Sequence, residues 1–190
     1  MTGFTTFEYS MGGKWLELLK KVAPYVKRVG VLRNPAIASG IGQFSAIQSA
    51  ALTLAVELIP IDVREASEIE RTVDTFARVP DGGLIVTSSA LTQKHRDLII
   101  ALAAKHRLPA VYPFRFFVTS GGLISYGPDL IDPYRRAAGY VDRILKGEST
   151  ADLPVQAPTK YDMTINVKTA RMLGLTVPLT LQVAADEVIE

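Results

Sequence analysis

Short apolar runs alternate with stretches of helical periodicity along most of this 190-residue chain. The runs are continuous, as in Gly83-Leu-Ile-Val-Thr87, and do not alternate between apolar and polar residues. Such strands, separated by helices and joined by short connections, predict a parallel sheet covered by helices on both faces, which is a doubly wound α/β fold. Strands are predicted at 28–32, 57–63, 83–87, 110–112, 122–126 and 162–167.

Apolar residues at positions i, i+3, i+4 and i+7 indicate the helices between these strands. Trp15, Leu18, Leu19 and Val22 form such a stripe, and Pro24 ends this first helix. Helices are predicted at 14–23, 43–56, 67–78, 92–106, 114–119, 132–146 and 168–173.

Local signals mark several helix ends and connections. Ser67 and Glu70 fit a capping box, and Asp132 is the expected N-cap of a later helix. The small residues at 39–42 predict a loop before the second helix. The proline-rich stretch 147–160 predicts a linker.

The composition is that of a globular protein with a packed core, since 48% of residues are hydrophobic and 21% are charged. Lys and Arg total 21 and Asp and Glu total 19, scattered along the chain, so neither nucleic acid nor anionic lipid is an expected partner. The absence of cysteine excludes disulfides, thiol nucleophiles and cysteine-based metal sites. The first ten residues lack the basic and apolar segments of a signal peptide, so none is expected in this chain.

Polar and aromatic residues are predicted to follow the strands, where open α/β sheets bind their ligands. Their hydroxyl, amide and guanidinium groups can hydrogen-bond a small zwitterion while the rings cover its apolar part. The serines can equally serve as helix N-caps, and Asn34-Pro35 can simply shape a turn. The candidate ligand-binding residues are Asn34, Ser39, Ser88, Ser89, Tyr112, Phe114, Arg115 and Tyr126.

No catalytic residue, metal site or cofactor is expected, because no phosphate-binding loop or nucleophile elbow occurs and the two histidines lack acidic partners at metal-ligand spacing. One signal is enzyme-like. Gly40-Ile-Gly-Gln-Phe-Ser45 approaches the dinucleotide fingerprint, and Asp62 follows about twenty residues later. Ser45 replaces the third glycine, and the first glycine lies several residues beyond the strand. Because the fingerprint is only partial, an NAD(P)-binding Rossmann-type oxidoreductase is kept as the alternative function and not as the leading one.

Three stretches, 13–35, 122–129 and 164–175, together resemble the substrate-binding proteins of ABC importers, including the tryptophan- and tyrosine-type members. The resemblance implies a type I periplasmic-binding-protein fold, in which two α/β lobes close around a solute. It also implies a non-catalytic protein that captures an amino acid or a similar zwitterion or anion. The expected partner is an ABC permease of the inner membrane, and the expected location of the full-length protein is the periplasm.

The same resemblance implies a division of the chain. Residues 1–27 would be a remnant of lobe one plus the crossing helix, 28–125 would be lobe two, and 126–190 would return to lobe one with a linker and a C-terminal strand and helix. The loops at 34–39, 88–89 and 112–116 match pocket loops of the family. Phe114-Arg115-Phe116 within the last loop favours an anionic or aromatic solute.

The family also implies an export signal and most of a first lobe, which this sequence lacks. Lobe two is therefore expected to be accompanied only by segments of a second, incomplete lobe, lobe one. The helix 132–146 would then expose its apolar stripe, and a homodimer burying this helix is expected. The effector-binding domain of a transcription regulator would share the lobe architecture. Nothing before Thr5 can form a DNA-binding helix-turn-helix, which disfavours that function.

Overall fold

The computed structural model describes residues 2–6 and 8–190 as nine strands and nine helices. The strands are β1 (Gly3–Phe4), β2 (Arg28–Arg33), β3 (Glu57–Asp62), β4 (Gly82–Val86), β5 (Ala110–Tyr112), β6 (Ile124–Pro128), β7 (Val155–Gln156), β8 (Tyr161–Asn166) and β9 (Glu187–Ile189). The helices are α1 (Met11–Val22), α2 (Ala38–Leu54), α3 (Ala66–Phe76), α4 (Ala90–Lys94), α5 (Arg96–Lys105), α6 (Arg115–Thr119), α7 (Asp132–Leu145), α8 (Val167–Met172) and α9 (Leu179–Ala184).

Seven strands form one twisted sheet in the order β3-β2-β4-β5-β6-β8-β9. All neighbours in it are parallel except β6 and β8, which are antiparallel. Helices cover both faces of the sheet, and each face has its own apolar core. One core includes Trp15, Leu19 and Ile47 from α1 and α2, and the other includes Ile69 and Ile99 from α3 and α5. The predicted doubly wound α/β fold is confirmed.

Helix α1 follows the predicted apolar stripe closely. Trp15, Leu18 and Leu19 are at most 1% exposed, because this stripe packs on the sheet beside α2. The indole Nε1 of Trp15 donates a hydrogen bond of 2.6 Å to the carbonyl oxygen of Tyr126 in β6. A buried tryptophan N–H needs such a partner, so this bond fixes α1 against the middle of the sheet.

The predicted loop before α2 is wrong, since α2 begins at Ala38 and includes both Gly40 and Gly42. A Cβ at Gly40 would lie 2.2 Å from the carbonyl oxygen of Asn34, and a Cβ at Gly42 would lie 2.5 Å from the ring of Tyr9. These glycines therefore allow close packing against α2 and do not shape a turn. They lie inside the helix although glycine has a poor helix propensity.

Two other helix boundaries differ from the prediction. The capping box of α3 is formed by Glu65 and Glu68, not by Ser67 and Glu70. The single helix predicted at 92–106 is divided into α4 and α5, with His95 between them in a non-helical conformation.

The start of α7 also differs, because Asp132 is its first helical residue and not its N-cap. The side chain of Asp129 instead accepts hydrogen bonds from the amides of Ile131 and Asp132, at 2.7 and 3.3 Å. These bonds satisfy two amides near the helix start, so Asp129 has the capping role that the sequence predicts for Asp132.

The sheet does not end at residue 125, where a domain boundary is predicted. Strand β8 pairs antiparallel with β6, and β9, which was not predicted, adds parallel to β8. The predicted linker contains β7, which pairs with β1. Helix α7 packs beside this small pair, with the rings of Phe4 and Tyr140 4.9 Å apart.

The outer face of α7 is exposed, as expected from its stripe. Tyr134 is 79% exposed and Leu145 is 82% exposed, and Ile131 and Val141 are more than half exposed. Self-association through this face stays a prediction. No helix within residues 2–6 and 8–190 has the length and apolar character needed to cross a membrane.

Candidate functional site

The carboxyl ends of the parallel strands β2, β4, β5 and β6 lie at one edge of the sheet, and the antiparallel β8 begins there. We call this the carboxyl edge. Neighbouring strands lie roughly 4.8 Å apart, so the edge from β2 to β6 spans roughly 14 Å. It carries Asn34 after β2, residues 87–89 after β4, 113–116 after β5, 127–131 at the end of β6, and 161–162 at the start of β8.

A cavity of about 420 Å³ lies at the part of the carboxyl edge formed by β5, β6 and β8. The rings of Phe114 and Phe116 stack with centroids 5.4 Å apart and give it an apolar wall. A Cβ at Gly127 would lie 1.8 Å from the carbonyl oxygen of Pro113, so only glycine permits this close approach. The cavity is lined by Phe114, Arg115, Phe116, residues 127–131 and Asp162.

Arg115 borders the cavity, but its charge is already paired. Its Nε and Nη2 atoms donate to the two carboxylate oxygens of Glu187 in β9, at 2.5 and 2.7 Å. This bidentate pair raises the pKa of Arg115. An anionic solute would therefore compete with Glu187 for the guanidinium.

Two carboxylates at the cavity have different surroundings. Lys160 donates to Asp129 at 2.9 Å, and this bond lowers the pKa of Asp129. Burial raises the pKa of Asp162, and the negative charges of Asp129 and Asp186 raise it further, although Lys160 opposes them. An ammonium group of a solute would stabilise the ionised form of Asp162.

A separate polar group, formed by Ser39, Gln43 and Ser88, lies where β4 ends beside the start of α2. Ser39 Oγ donates to the carbonyl oxygen of Ser88 at 3.3 Å, and the Ser88 amide donates to Gln43 Oε1 at 3.1 Å. Ser88 Oγ and Gln43 Nε2 are buried and have no hydrogen-bond partner among the described residues. Such unpaired buried atoms are unusual in folded proteins and are candidates for ligand contact.

Two of the predicted residues have structural partners. The side chain of Asn34 accepts from the Ala36 amide at 2.9 Å, which shapes the turn after β2. Ser89 is the N-cap of α4 and accepts from the Thr92 amide at 3.0 Å. The sequence left these alternatives open, and the structure shows the turn at Asn34 and the N-cap at Ser89.

Two predicted tyrosines lie away from the cavity. Tyr112 is 1% exposed and stacks on Phe117 in the core, where burial raises the pKa of its phenol, so it is not accessible to a solute. Tyr126 stacks on Tyr161 with centroids 5.8 Å apart and faces a different cavity, of about 530 Å³, between α1 and the segment containing α9. The structure thus brings together only Phe114 and Arg115 at one cavity, and Ser39 and Ser88 at the polar group.

Sequence reasoning missed Gln43 and Asp162. Gln43 lies four residues after Ser39 on one helix face, but this relation is visible only when α2 begins before Ser39. Asp162 reaches the carboxyl edge because β8 runs antiparallel to β6, and the sequence carries no signal for that direction.

The geometry does not form a dinucleotide fingerprint. Both Gly40 and Gly42 lie inside α2, and residues 34–37 separate that helix from β2, whereas the fingerprint glycines form the turn itself. Asp62, the expected ribose ligand, pairs with Arg33 at 2.6 Å.

The model of the ABC transporter substrate binding protein family matches residues 2–189. The chain belongs to this family. The chain is 24% identical, over 176 residues, to the tyrosine-binding protein of Clostridioides difficile. That alignment covers 90% of the chain and 49% of the relative.

Solved structures share the fold of this chain. An ABC domain from Streptococcus pneumoniae in complex with L-Trp has a TM-score of 0.86 at 23% identity, with 99% of this chain and 64% of that chain covered. A conserved domain protein from Vibrio cholerae has a TM-score of 0.88 at 23% identity, with 98% and 62% covered. The chain thus spans about half of the curated relative and less than two thirds of each structure.

Proposed function

We propose that this protein is the solute-binding component of an ABC importer and that it holds a small solute, an amino acid or a similar zwitterion, without catalysis. The observation that carries the proposal is the family match over residues 2–189, combined with a cavity at the carboxyl edge of the sheet. Open α/β sheets bind ligands at this edge. The names of two relatives, for tyrosine and for L-Trp, support an amino acid as the solute.

The cavity suits an aromatic solute that carries a positive charge. Phe116, which stacks on the buried Phe114, provides an aromatic surface, and Asp162 provides a carboxylate that an ammonium group would stabilise. The segment Phe114-Arg115-Phe116 favours an anionic or an aromatic solute, and the pairing of Arg115 with Glu187 weakens the preference for an anion. An aromatic amino acid combines the features that remain.

The complete protein would have two lobes that close on the solute. In this proposal the large sheet, including β8 and β9, is lobe two, and β1, β7 and α7 belong to lobe one. The proposed partner is an ABC permease of the inner membrane, and the proposed location is the periplasm.

Thermal unfolding of the full chain tests this function with L-tryptophan, L-tyrosine, D-ribose, NAD and NADP. We expect an aromatic amino acid to raise the melting temperature, because a ligand that binds only the folded state stabilises it. A rise with NAD or NADP, and none with either amino acid, would refute the proposal.

A matched pair of variants locates the binding site. Asp162→Asn removes the charge at the cavity, whereas Asp152→Asn removes the charge of an exposed aspartate elsewhere. We expect the first variant to weaken amino acid binding about tenfold, as for a lost charge-assisted hydrogen bond. The second should bind like the wild type, and equal losses in both would place the solute elsewhere.

A further inference from the structure

A second cavity lies behind the carboxyl-edge cavity, on the opposite face of strands β6 and β8. Successive side chains of a strand point to opposite faces of the sheet. Gly127 and Asp162 line the carboxyl-edge cavity, whereas their neighbours Tyr126, Tyr161 and Met163 line the other one. We call it the α1–α9 cavity, because it lies between α1 and the segment containing α9. Its volume of about 530 Å³ is within the roughly 300–1,000 Å³ of small-molecule sites.

The floor of the α1–α9 cavity is aromatic and apolar. The rings of Tyr126 and Tyr161 have centroids 5.8 Å apart and planes 14° from parallel. Met163 lies directly opposite Tyr126 in the antiparallel pair of β6 and β8. Leu18 of α1 and Leu181 of α9 also line the cavity. A flat ring of a ligand can pack on such a surface.

Two lysines of α1 give one side of the cavity a positive charge. Lys14 and Lys21 are seven residues apart and therefore lie on one face of the helix, and both line the cavity. Lys14 forms an exposed ion pair of 3.5 Å with Glu17, which is weak. Lys21 has no ion pair among residues 2–6 and 8–190. Both ammonium groups can therefore accept a carboxylate from a ligand.

The acidic groups near these lysines are already held by hydrogen bonds. Asp186 is the carboxylate that lines the cavity, and its Oδ2 atom accepts from the amide of Met163 at 2.7 Å. The Tyr161 hydroxyl donates to Glu8. Burial and this bond raise the pKa of Tyr161 to about 12, so its ring carries no charge at neutral pH. Two lysines against one aspartate leave the lining with an excess of positive charge.

We propose that the α1–α9 cavity is a second binding site, which takes a planar aromatic carboxylate. The ring of this ligand packs on Tyr126 and Tyr161, and its carboxylate pairs with Lys14 or Lys21. The sheet separates this site from the carboxyl-edge cavity, so both can be occupied at once. The inference does not depend on the proposed solute. It also gives a ligand contact to Tyr126, which lies away from the carboxyl-edge cavity.

Methyl resonances of the full chain labelled with [¹³C-methyl]methionine provide a direct test, with 2-naphthoate and neutral 2-naphthamide as probes. Met163 lines the α1–α9 cavity, whereas Met172 in α8 is 66% exposed and is not part of its lining. We expect 2-naphthoate to shift the Met163 methyl in a saturable manner, to leave Met172 unshifted, and to bind about tenfold more tightly than 2-naphthamide. No shift at Met163, or equal shifts at both methionines, would overturn the site. Equal binding of the two probes would overturn its preference for an anion.

A pair of double variants tests the lysines. Lys14→Gln combined with Lys21→Gln removes the charge at the cavity, and Lys146→Gln combined with Lys168→Gln removes the same charge from exposed positions elsewhere. We expect the first variant to weaken 2-naphthoate about tenfold and 2-naphthamide hardly at all, and the second to bind like the wild type. Unchanged binding of 2-naphthoate in the first variant, or an equal loss in both variants, would refute the pairing with Lys14 and Lys21.

Discussion

Arg115 and Glu187 join the first residue of α6 to the last strand of the sheet through two hydrogen bonds, 2.5 and 2.7 Å long. The two residues are 72 positions apart in sequence. Because Arg115 lines the carboxyl-edge cavity, this pairing compensates a positive charge that a solute would otherwise meet there.

Glu187→Gln should release the Arg115 guanidinium. Both side chains are at least one-third exposed, so we expect a loss in the free energy of unfolding of only about 0.5 kcal/mol. Binding of indole-3-propionate, an aromatic anion, should strengthen at the same time. Urea unfolding and calorimetric titration measure these two effects. Glu70→Gln, at an exposed position of α3, is the control and should change neither.

Gly127→Ala should lower the free energy of unfolding. Its Cβ would lie 1.8 Å from the carbonyl oxygen of Pro113, and relieving this overlap requires movement of backbone, for which we expect a loss of about 2 kcal/mol or more. Gly139→Ala in α7 meets no atom within 4 Å and should instead stabilise the protein by about 0.5–1 kcal/mol, because alanine favours helices. Urea unfolding compares the two variants, and similar changes in both would contradict the close approach at Gly127.

Asp162 should make stability depend on pH in an unusual direction. Burial raises its pKa in the folded protein, so the folded state binds this proton more tightly than the unfolded state does. Its contribution therefore favours folding below the unfolded pKa of about 3.9 and is lost as pH rises through the folded pKa. Asp162→Asn should be more stable than the wild type at pH 7, with the difference disappearing below about pH 4. A constant difference between pH 3 and 7 would refute this assignment.

The exposed face of α7 should mediate self-association. Tyr134 and Leu145 are the most exposed apolar residues of this face, and burying them in a dimer would remove them from water. Light scattering of the wild type should give twice the mass of one chain, and Tyr134→Ser combined with Leu145→Ser should give a single chain. Leu52→Ser, at an apolar residue of α2 that is 88% exposed, is the control and should leave the dimer intact. A monodisperse wild-type monomer would contradict the prediction.

The sequence was sufficient for the elements whose periodicity reflects burial. The stripe of α1 and the continuous apolar run of β4 predicted both elements, because each packs its apolar residues into a core. The start of α2 was not predictable from local propensity. Gly40 and Gly42 disfavour a helix. A larger residue at these positions would overlap Asn34 and Tyr9, and this proximity is visible only in the folded chain.

The candidate site was predicted in part for the same reason. Phe114 and Arg115 follow a recognisable strand and do line a cavity. Asp162 and Glu187 depend on the pairing of β6, β8 and β9, which involves residues distant in sequence. Tyr112 and Phe114 both belong to the apolar core beside α3 and α5, but only Phe114 also lines the cavity.

The indole of Trp15 has a practical consequence for experiments. It is the only tryptophan in the sequence, it is fully buried, and it hydrogen-bonds the strand that continues into the cavity at Gly127. Its fluorescence therefore reports on β6 from within the protein, and a shift of that strand on binding L-tyrosine would change the emission without any attached label.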